Sequence, residues 1–201
     1  MRKIIVIPLV IVVIIIGIVL ALFLSKGGEV SVEGKIPLVD IVKGTKTSIT
    51  ISSPGFNNLS YIPKRYTCDG EDISPPLKIY NIPKEAKSLV LILYDPDAPK
   101  GIFYHWIVYN IPPTVKEIDE GIGIRNKYEI PIGVQALNDF GYIGYGGPCP
   151  PPGHKAHRYV FLIIAIDKEL NIPPEASIDQ ILNACKDHVI AYGTYVGLYG
   201  R

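Results

Sequence analysis

The most prominent feature of the hydrophobic pattern is an uninterrupted apolar run from Ile4 to Leu24, 21 residues without a charged side chain. As an α-helix with a rise of about 1.5 Å per residue, the run would be about 31 Å long, the thickness of the hydrocarbon core of a bilayer. We therefore predict one N-terminal transmembrane helix within residues 1–24, and a cleaved signal peptide is the alternative. Because Arg2 and Lys3 precede the run, the domain that follows is expected on the outer side of the cell membrane, or secreted if the segment is cleaved.

Beyond the apolar run, short hydrophobic stretches bounded by turn residues predict β-strands. The stretch 88–94 is almost wholly apolar, which is typical of a central strand that is covered on both faces. The stretch 47–52 alternates with a period of two, and 103–110 and 158–166 are two further candidates. Prolines flank these stretches and none lies inside them, as a central strand requires.

One helix is predicted near the C-terminus. Ser177 and Gln180 have the spacing of a capping box, in which the side chain of each residue bonds the backbone of the other. The apolar residues that follow recur at helical spacing on one face, and we expect the helix to end at Gly193. They are Ile178, Ile181, Leu182, Cys185 and Val189. The predicted fold class is thus mainly β, an antiparallel sheet or sandwich with one C-terminal helix, preceded by the transmembrane helix.

Composition changes this picture little. The chain has 201 residues and a formal net charge of +1, and the predicted transmembrane segment contains only the two basic residues Arg2 and Lys3. The remainder therefore carries 18 basic and 19 acidic groups, which excludes a basic nucleic-acid-binding protein. We predict a tether over residues 25–46 and one domain over residues 47–201, which is long enough to bury its own core.

Polar residues cluster at the ends of the predicted strands. Asp95 and Asp97 follow the apolar strand, and His105 lies near the start of the next one. A loop rich in glycine and proline precedes His157 and Tyr159, which alternate and so share one face of a strand. Two histidines, a hydroxyl and loop N–H groups suit a small anion such as phosphate or a carboxylate. The alternatives are an ordinary Asp-Pro turn and a structural loop.

Other chemistry remains open from the residues alone. His105, His154, His157 and an aspartate could form a zinc or iron site, although no characteristic ligand spacing accompanies them. Cys149 and His157 could form a nucleophilic pair. With three cysteines the disulfide pairing cannot be read from the sequence; since Cys185 lies on the apolar helix face, Cys68 with Cys149 is favoured.

Taken in chain order, these motifs resemble those of the phosphatidylethanolamine-binding protein family, in its bacterial and archaeal branch. The resemblance covers about residues 47–201. It rests on residues 66–77, 95–99, 105–106, 141–152, 157–159 and 196–201. It implies a β-sandwich with an anion pocket near one edge, and carried over by position the ligand-binding residues are Asp95, Asp97, His105, His157 and Tyr159. It also implies a cis peptide bond within 147–150 and an approach of Tyr199 to the pocket.

The function predicted from the sequence is that of a membrane-anchored binding protein for phosphate-like or carboxylate head groups. We expect no enzymatic activity, and therefore no catalytic residues, and neither a metal nor a cofactor. An inhibitor of chymotrypsin- or elastase-type serine proteases is the alternative function, and a hydrolase that uses His and Asp is the third. The expected partners are accordingly a small anion, a serine protease in the alternative, and the membrane through the N-terminal helix, but no nucleic acid.

Overall fold

The computed structural model of the protein describes residues 38–45 and 48–201. Two α-helices lie in these residues, α1 (Leu38–Ile41) and α2 (Ile178–Cys185), with one 3₁₀ turn at Lys64–Tyr66. The strands are β1 (Thr50–Ser52), β2 (Ser60–Tyr61), β3 (Leu77–Tyr80), β4 (Ser88–Asp95), β5 (Phe103–Ile111), β6 (Glu117–Ile118), β7 (Glu129–Ile130), β8 (Gly133–Gln135), β9 (His157–Ile166) and β10 (Val189–Tyr199).

The main sheet has seven strands in the order β2-β10-β9-β4-β5-β8-β7, and a small sheet has the order β1-β3-β6. Every pairing in both sheets is antiparallel except that of β2 with β10, which is parallel. The strand β4 lies at the centre of the main sheet, between β5 and β9, as its apolar sequence predicts. The predicted strands at 103–110 and 158–166 are also confirmed, as β5 and β9.

Both faces of the main sheet are buried. Leu89, Leu91 and Leu93 of β4 face a core that includes Ile51 of β1 and Leu77 of β3, so the small sheet covers this side. The alternate residues of β4 face a second core, which α2 covers. At about 25 cal/mol per Å² of apolar surface, such two-sided burial is the main stabilising contribution, and it explains why β4 carries almost no polar residue.

The helix α2 begins as predicted and ends earlier. Ser177 caps it, and the capping box with Gln180 is formed in both directions. The helix ends at Cys185, however, whereas the sequence predicts that it continues past Val189 to Gly193. Val189 and Gly193 belong instead to the eleven-residue strand β10. The prediction of the C-terminal boundary is therefore wrong, because Val189 continues the helical spacing by chance while a tyrosine-rich alternating pattern starts there.

The predicted fold class needs a correction at its N-terminal end. Within the described part of the chain, no helix is long and apolar enough to cross a membrane. The longest described helix, α2, has eight residues, which corresponds to only about 12 Å. The apolar run within 1–24, on which the transmembrane prediction rests, lies outside the described residues. For the described residues, the supported fold class is a mainly β domain with one C-terminal helix.

The described part of the predicted tether contains structure of its own. The helix α1 lies in it, and Ile41 is only 7% exposed and packs in the core beneath α2. The segment 38–45 is therefore packed against the β domain. The first part of the alternating stretch predicted as a strand, at residue 47, lies outside the described residues, and β1 itself begins at Thr50.

Candidate functional site

One end of the main sheet carries the candidate site. The strand β4 ends at Asp95, and its two antiparallel neighbours begin there, β5 at Phe103 and β9 at His157. Antiparallel pairing thus brings together residues that are far apart in sequence. Side chains at this edge surround a cavity of about 400 Å³. The lining residues are Asp95, Ala98, Pro99, Phe103, His105, Asp139, Phe140, Cys149, Pro150, Pro151, His157 and Tyr159.

His157 and Asp95 form a buried pair in the cavity wall. The Nδ1 atom of His157 lies 2.8 Å from Oδ2 of Asp95, and both residues are almost inaccessible to solvent. Because a carboxylate only accepts, Nδ1 carries the proton of this bond. The other carboxylate oxygen of Asp95 accepts the backbone N–H of Asp97 at 2.8 Å, which fixes the carboxylate. The pair therefore leaves Nε2 of His157 as the ring atom that is available to a ligand.

His105 is held in the same way by a different acceptor. Its Nδ1 atom lies 2.8 Å from the carbonyl oxygen of Gly146, so Nδ1 carries a hydrogen here as well. Burial lowers the pKa of His105, and the nearby carbonyl groups and Asp95 oppose this effect only in part. His105 is thus neutral near pH 7, and its Nε2 atom is a hydrogen-bond acceptor.

Tyr159 supplies an unpartnered hydroxyl. It is fully buried two residues after His157 on β9, as the alternation of the strand predicts. Its buried O–H finds no acceptor among the described residues, and the backbone N–H of Cys149 faces the hydroxyl oxygen. Burial, together with the charge of Asp95, raises the pKa of Tyr159, so the hydroxyl keeps its proton. A buried donor without a partner costs about 1–3 kcal/mol, so this hydroxyl is an unsatisfied group at the margin of the cavity.

Asp97 is not part of the cavity lining, although the sequence predicts it as a ligand-binding residue. Its carboxylate accepts Nε and Nη2 of Arg158 at 2.8 and 2.7 Å and the backbone N–H of Arg158 at 2.9 Å. These bonds lower the pKa of Asp97 to about 2. Asp97 lies two residues beyond the end of β4, so strand alternation does not orient its side chain. Instead, the carboxylate faces Arg158 of β9. Asp97 therefore joins the ends of two strands.

The proline-rich wall of the cavity is attached to a second segment that sequence reasoning left without a role. Cys149 forms a disulfide with Cys68, which confirms the favoured pairing. The carboxylate of Asp72 accepts the backbone N–H of Gly147 at 2.7 Å and also pairs with Arg125. The motif at 66–77, quoted above only for the family resemblance, thus supports the cavity wall. Sequence alone could not assign this role, because the two segments are more than 70 residues apart.

An aromatic cluster at the cavity was also missed. We call Phe103, Phe140 and Tyr142 the aromatic shelf. The rings of Phe103 and Phe140 meet edge to face with centroids 4.8 Å apart, and Phe140 stacks on Tyr142 at 5.6 Å. A Cβ atom on Gly146 would lie 2.5 Å from both the Phe140 ring and the Tyr142 hydroxyl, so the shelf rests on bare glycine backbone. The available signal was this glycine next to an aromatic-rich stretch.

Several alternatives lose support in the described residues. Cys149 is in a disulfide, so it cannot form a nucleophilic pair with His157. The described residues contain no group of three or more His, Cys, Asp or Glu side chains that could hold a metal ion, and His154 is exposed outside the cavity lining. All their peptide bonds are trans, so the expected cis bond within 147–150 is wrong. Tyr199 bonds Asp69 at 2.6 Å and does not line the cavity.

Comparison with known proteins then identifies the family. Residues 52–200 match the profile described as phosphatidylethanolamine-binding protein. The chain belongs to this family. The match includes all five residues predicted for the site, and it confirms the resemblance stated from the motifs.

The relatives of the chain within the phosphatidylethanolamine-binding protein family fit the bacterial and archaeal branch. A UPF0098 protein of Pyrococcus horikoshii is 52% identical over 157 residues, which cover 78% of each chain. A crystal structure of a putative phosphatidylethanolamine-binding protein homologue of Chlamydia trachomatis has 40% identity and a TM-score of 0.69, and covers 78% of this chain and 99% of its own. The crystal structure of YbcL of E. coli, described as a new member of the mammalian family, has 31% identity and a TM-score of 0.72, with 77% and 99% covered.

Proposed function

We propose that this family member binds a small anion in the cavity between β4, β5 and β9, and that the anion is a phosphate group in its monoanionic form, which carries an acidic O–H. The observation that carries the proposal is the convergence of three buried groups with defined hydrogen-bonding roles on one cavity. They are Nε2 of His157, Nε2 of His105 and the hydroxyl of Tyr159.

Two of these groups donate. When His157 is protonated, Asp95 neutralises it and holds Nδ1–H, so that Nε2–H donates to the ligand. The Tyr159 hydroxyl is the second donor, because burial keeps it protonated. Hydrogen bonds from a charged donor to an anion are about twice as strong as neutral ones. The buried pair thus supplies a charged hydrogen-bond donor without a lysine or arginine in the cavity lining.

The third group accepts. Neutral His105 presents the lone pair of Nε2, because Gly146 holds the hydrogen on Nδ1. A ligand that carries an acidic O–H satisfies this acceptor, whereas a fully deprotonated oxyanion leaves it unpaired. The carboxylates of Asp95 and Asp139 in the lining also disfavour a dianion. Together these features favour monoanionic phosphate over sulfate and over a carboxylate.

The decisive experiment compares inorganic phosphate with sulfate by titration calorimetry on the full-length protein at pH 6, where most of the inorganic phosphate is the monoanion H2PO4⁻ and sulfate carries no proton. Sites that bond a ligand hydroxyl strongly reject analogues that lack it, so we expect phosphate to bind at least about tenfold more tightly than sulfate. His157→Gln is expected to weaken phosphate binding by about tenfold or more, because a charge-assisted bond is lost.

The chain offers a matched control for this substitution. His188 bonds Asp167 through Nδ1 at the same distance of 2.8 Å, but on the surface and away from the cavity. His188→Gln should therefore leave phosphate binding unchanged. Equal binding of phosphate by the parent and by His157→Gln would contradict the proposal, as would equal binding of phosphate and sulfate by the parent.

Protease inhibition and hydrolysis by His and Asp stay alternative predictions, and the absence of enzymatic activity stays a prediction as well. None of them has a specific feature in its favour among residues 38–45 and 48–201. A hydrolase would need a nucleophile near the histidines, and the cysteine that lines the cavity is in a disulfide.

A further inference from the structure

The cavity is larger and less polar than an anion site requires. Its volume of about 400 Å³ lies in the range of about 300–1,000 Å³ that is typical of pockets for organic ligands. Inorganic phosphate is far smaller than such ligands. The groups assigned to the anion are three side chains, and much of the remaining lining is apolar. The apolar residues are Ala98, Pro99, Phe103, Phe140, Pro150 and Pro151.

His105 separates the polar and the aromatic parts of this lining. Its ring meets Tyr159 edge to face with centroids 5.2 Å apart, and it meets Phe103 and Phe140 in the same manner at 5.0 and 5.2 Å. The aromatic shelf therefore packs directly against the imidazole ring that would bond the phosphate. Phe140 is 40% exposed although it lines the cavity, so part of its surface remains without a partner.

The shelf is held in place before any ligand arrives. Phe140 stacks on Tyr142 with an angle of 14° between the rings, and the Arg125 guanidinium lies 4.7 Å above the Tyr142 ring. Arg125 is in turn bonded to Asp72. Gly146 provides the bare backbone against which both rings rest, and the same residue holds His105 through its carbonyl group. Rings fixed in this way order little on binding, which favours affinity.

We propose that the shelf is a second subsite, which binds an aromatic ring joined to the anion, so that the ligands of the cavity are compact aryl esters of phosphate. The inference rests on the proposed phosphate site and adds the chemical class of the rest of the ligand. Aromatic pairs prefer edge-to-face or offset contact and gain free energy beyond that of area burial. Phe140, which lines the cavity and keeps 40% of its surface exposed, offers such a contact.

The test compares three phosphate monoesters in calorimetric titrations of the full-length protein: methyl, cyclohexyl and phenyl phosphate. We expect phenyl phosphate to bind about tenfold more tightly than methyl phosphate, because it buries apolar area on the shelf. It should bind about threefold more tightly than cyclohexyl phosphate, which has similar size but no aromatic ring. Equal affinities for the phenyl and cyclohexyl esters would overturn the aromatic class.

Variants locate the subsite. Phe140→Ala should reduce the preference for phenyl over methyl phosphate to less than about threefold. Phe140→Leu keeps an apolar side chain, so it should retain part of that preference and lose the difference between phenyl and cyclohexyl. Tyr61→Ala is the matched control and should leave the preference for phenyl phosphate unchanged. Tyr61 is an aromatic residue that is 65% exposed and does not line the cavity.

The outcomes separate this inference from the proposed function. If no phosphate compound binds, both are overturned. If inorganic and methyl phosphate bind but phenyl phosphate binds no better, only the aromatic subsite is overturned. If Phe140→Ala keeps the full preference for phenyl over methyl phosphate, and Phe140→Leu keeps the full difference between phenyl and cyclohexyl phosphate, the shelf is not the cause and the inference is likewise overturned.

Discussion

At the scale of single residues, we expect the hydroxyl of Tyr159 to lower the stability of the ligand-free protein and to strengthen phosphate binding. Because its hydroxyl is buried without a partner, removing it should relieve an unfavourable desolvation. We predict that Tyr159→Phe raises the free energy of unfolding of the ligand-free protein by about 1 kcal/mol and weakens phosphate binding about tenfold. Chemical denaturation and calorimetry measure the two effects.

Tyr145 supplies the control for that substitution. It is equally buried, but its hydroxyl donates to the carbonyl oxygen of Tyr66 at 2.6 Å. Tyr145→Phe should therefore lower the free energy of unfolding by about 1 kcal/mol, the opposite sign. If both variants are destabilised to the same extent, the Tyr159 hydroxyl has a partner in solution and is not reserved for a ligand.

Two adjacent glycines allow two different close contacts. Gly146 makes room for the aromatic shelf, and Gly147 makes room for the backbone of Tyr66. A Cβ on Gly146 would meet movable side chains, whereas a Cβ on Gly147 would lie 2.6 Å from the backbone oxygen of Tyr66. We predict that Gly147→Ala lowers the free energy of unfolding by about 1–3 kcal/mol and that Gly146→Ala lowers it by less. Gly146→Ala should instead abolish the preference for phenyl phosphate, because it displaces Phe140. Retention of that preference in calorimetric titrations would contradict the prediction.

For single residues, the sequence predicts features that depend on neighbouring residues in the chain and misses features that depend on distant ones. The shared face of His157 and Tyr159 follows from strand alternation within three residues. The neutral state of His105 depends on burial, and its tautomer depends on the carbonyl group of Gly146, which is 41 residues away, so no local pattern announces either. Asp97 is a further case: it stands in the same motif as Asp95, but it pairs with Arg158 and lies outside the cavity lining, which the local sequence does not predict.

Among the elements, the ends of β4 and β9 are joined by the Asp97–Arg158 pair. Its bonds lower the pKa of Asp97 to about 2 from the ordinary value of 3.8. A lowered carboxyl pKa contributes stability that is present above pH 3.8 and is lost as the pH falls towards 2. Arg158 is more than half exposed, so solvent screening limits the contribution to about 1 kcal/mol.

We therefore predict that Asp97→Asn lowers the free energy of unfolding by about 1 kcal/mol at pH 7 and that the difference from the parent shrinks between pH 4 and pH 2. Urea denaturation across this range measures it. The exposed Asp119 provides a control, and Asp119→Asn should change the free energy of unfolding little at any pH in this range. A difference that stays constant down to pH 2 would mean that the charge of Asp97 is not what joins the strands.

Helices and strands were predictable where the element's own residues carry a clear local signal. The strands β4, β5 and β9 have apolar runs that prolines delimit, and α2 has a capping box, so all four were found. The strand β10 was missed because Gly193 and Gly197 interrupt its pattern. Both glycines sit where a Cβ would overlap a neighbouring segment, near Ile49 and Ile62 respectively. Such tertiary reasons for glycine are invisible in the sequence.

For the whole molecule, the Cys68–Cys149 disulfide joins segments that are 81 residues apart and secures the wall of the cavity. Cross-linking a loop of this length disfavours the unfolded chain by about 4 kcal/mol in the chain-entropy account. The wall has additional attachments in the folded protein. Arg201 donates from Nε to the carbonyl oxygen of Pro150 at 2.7 Å, and Cys68 donates its backbone N–H to Pro148 at 3.2 Å.

Because these hydrogen bonds do not depend on the sulfur atoms, loss of the disulfide should affect stability more than binding. We predict that the double variant Cys68→Ala, Cys149→Ala loses about 2–4 kcal/mol of unfolding free energy, while its phosphate affinity falls by less than about fivefold. A reductant should lower the Tm of the parent and leave that of the double variant unchanged. Cys185→Ala, which removes only the buried free thiol, should keep the response to reductant. If the double variant instead binds no phosphate at a temperature where it is folded, the disulfide shapes the cavity directly and the hydrogen bonds of Arg201 and Cys68 are insufficient to hold its wall.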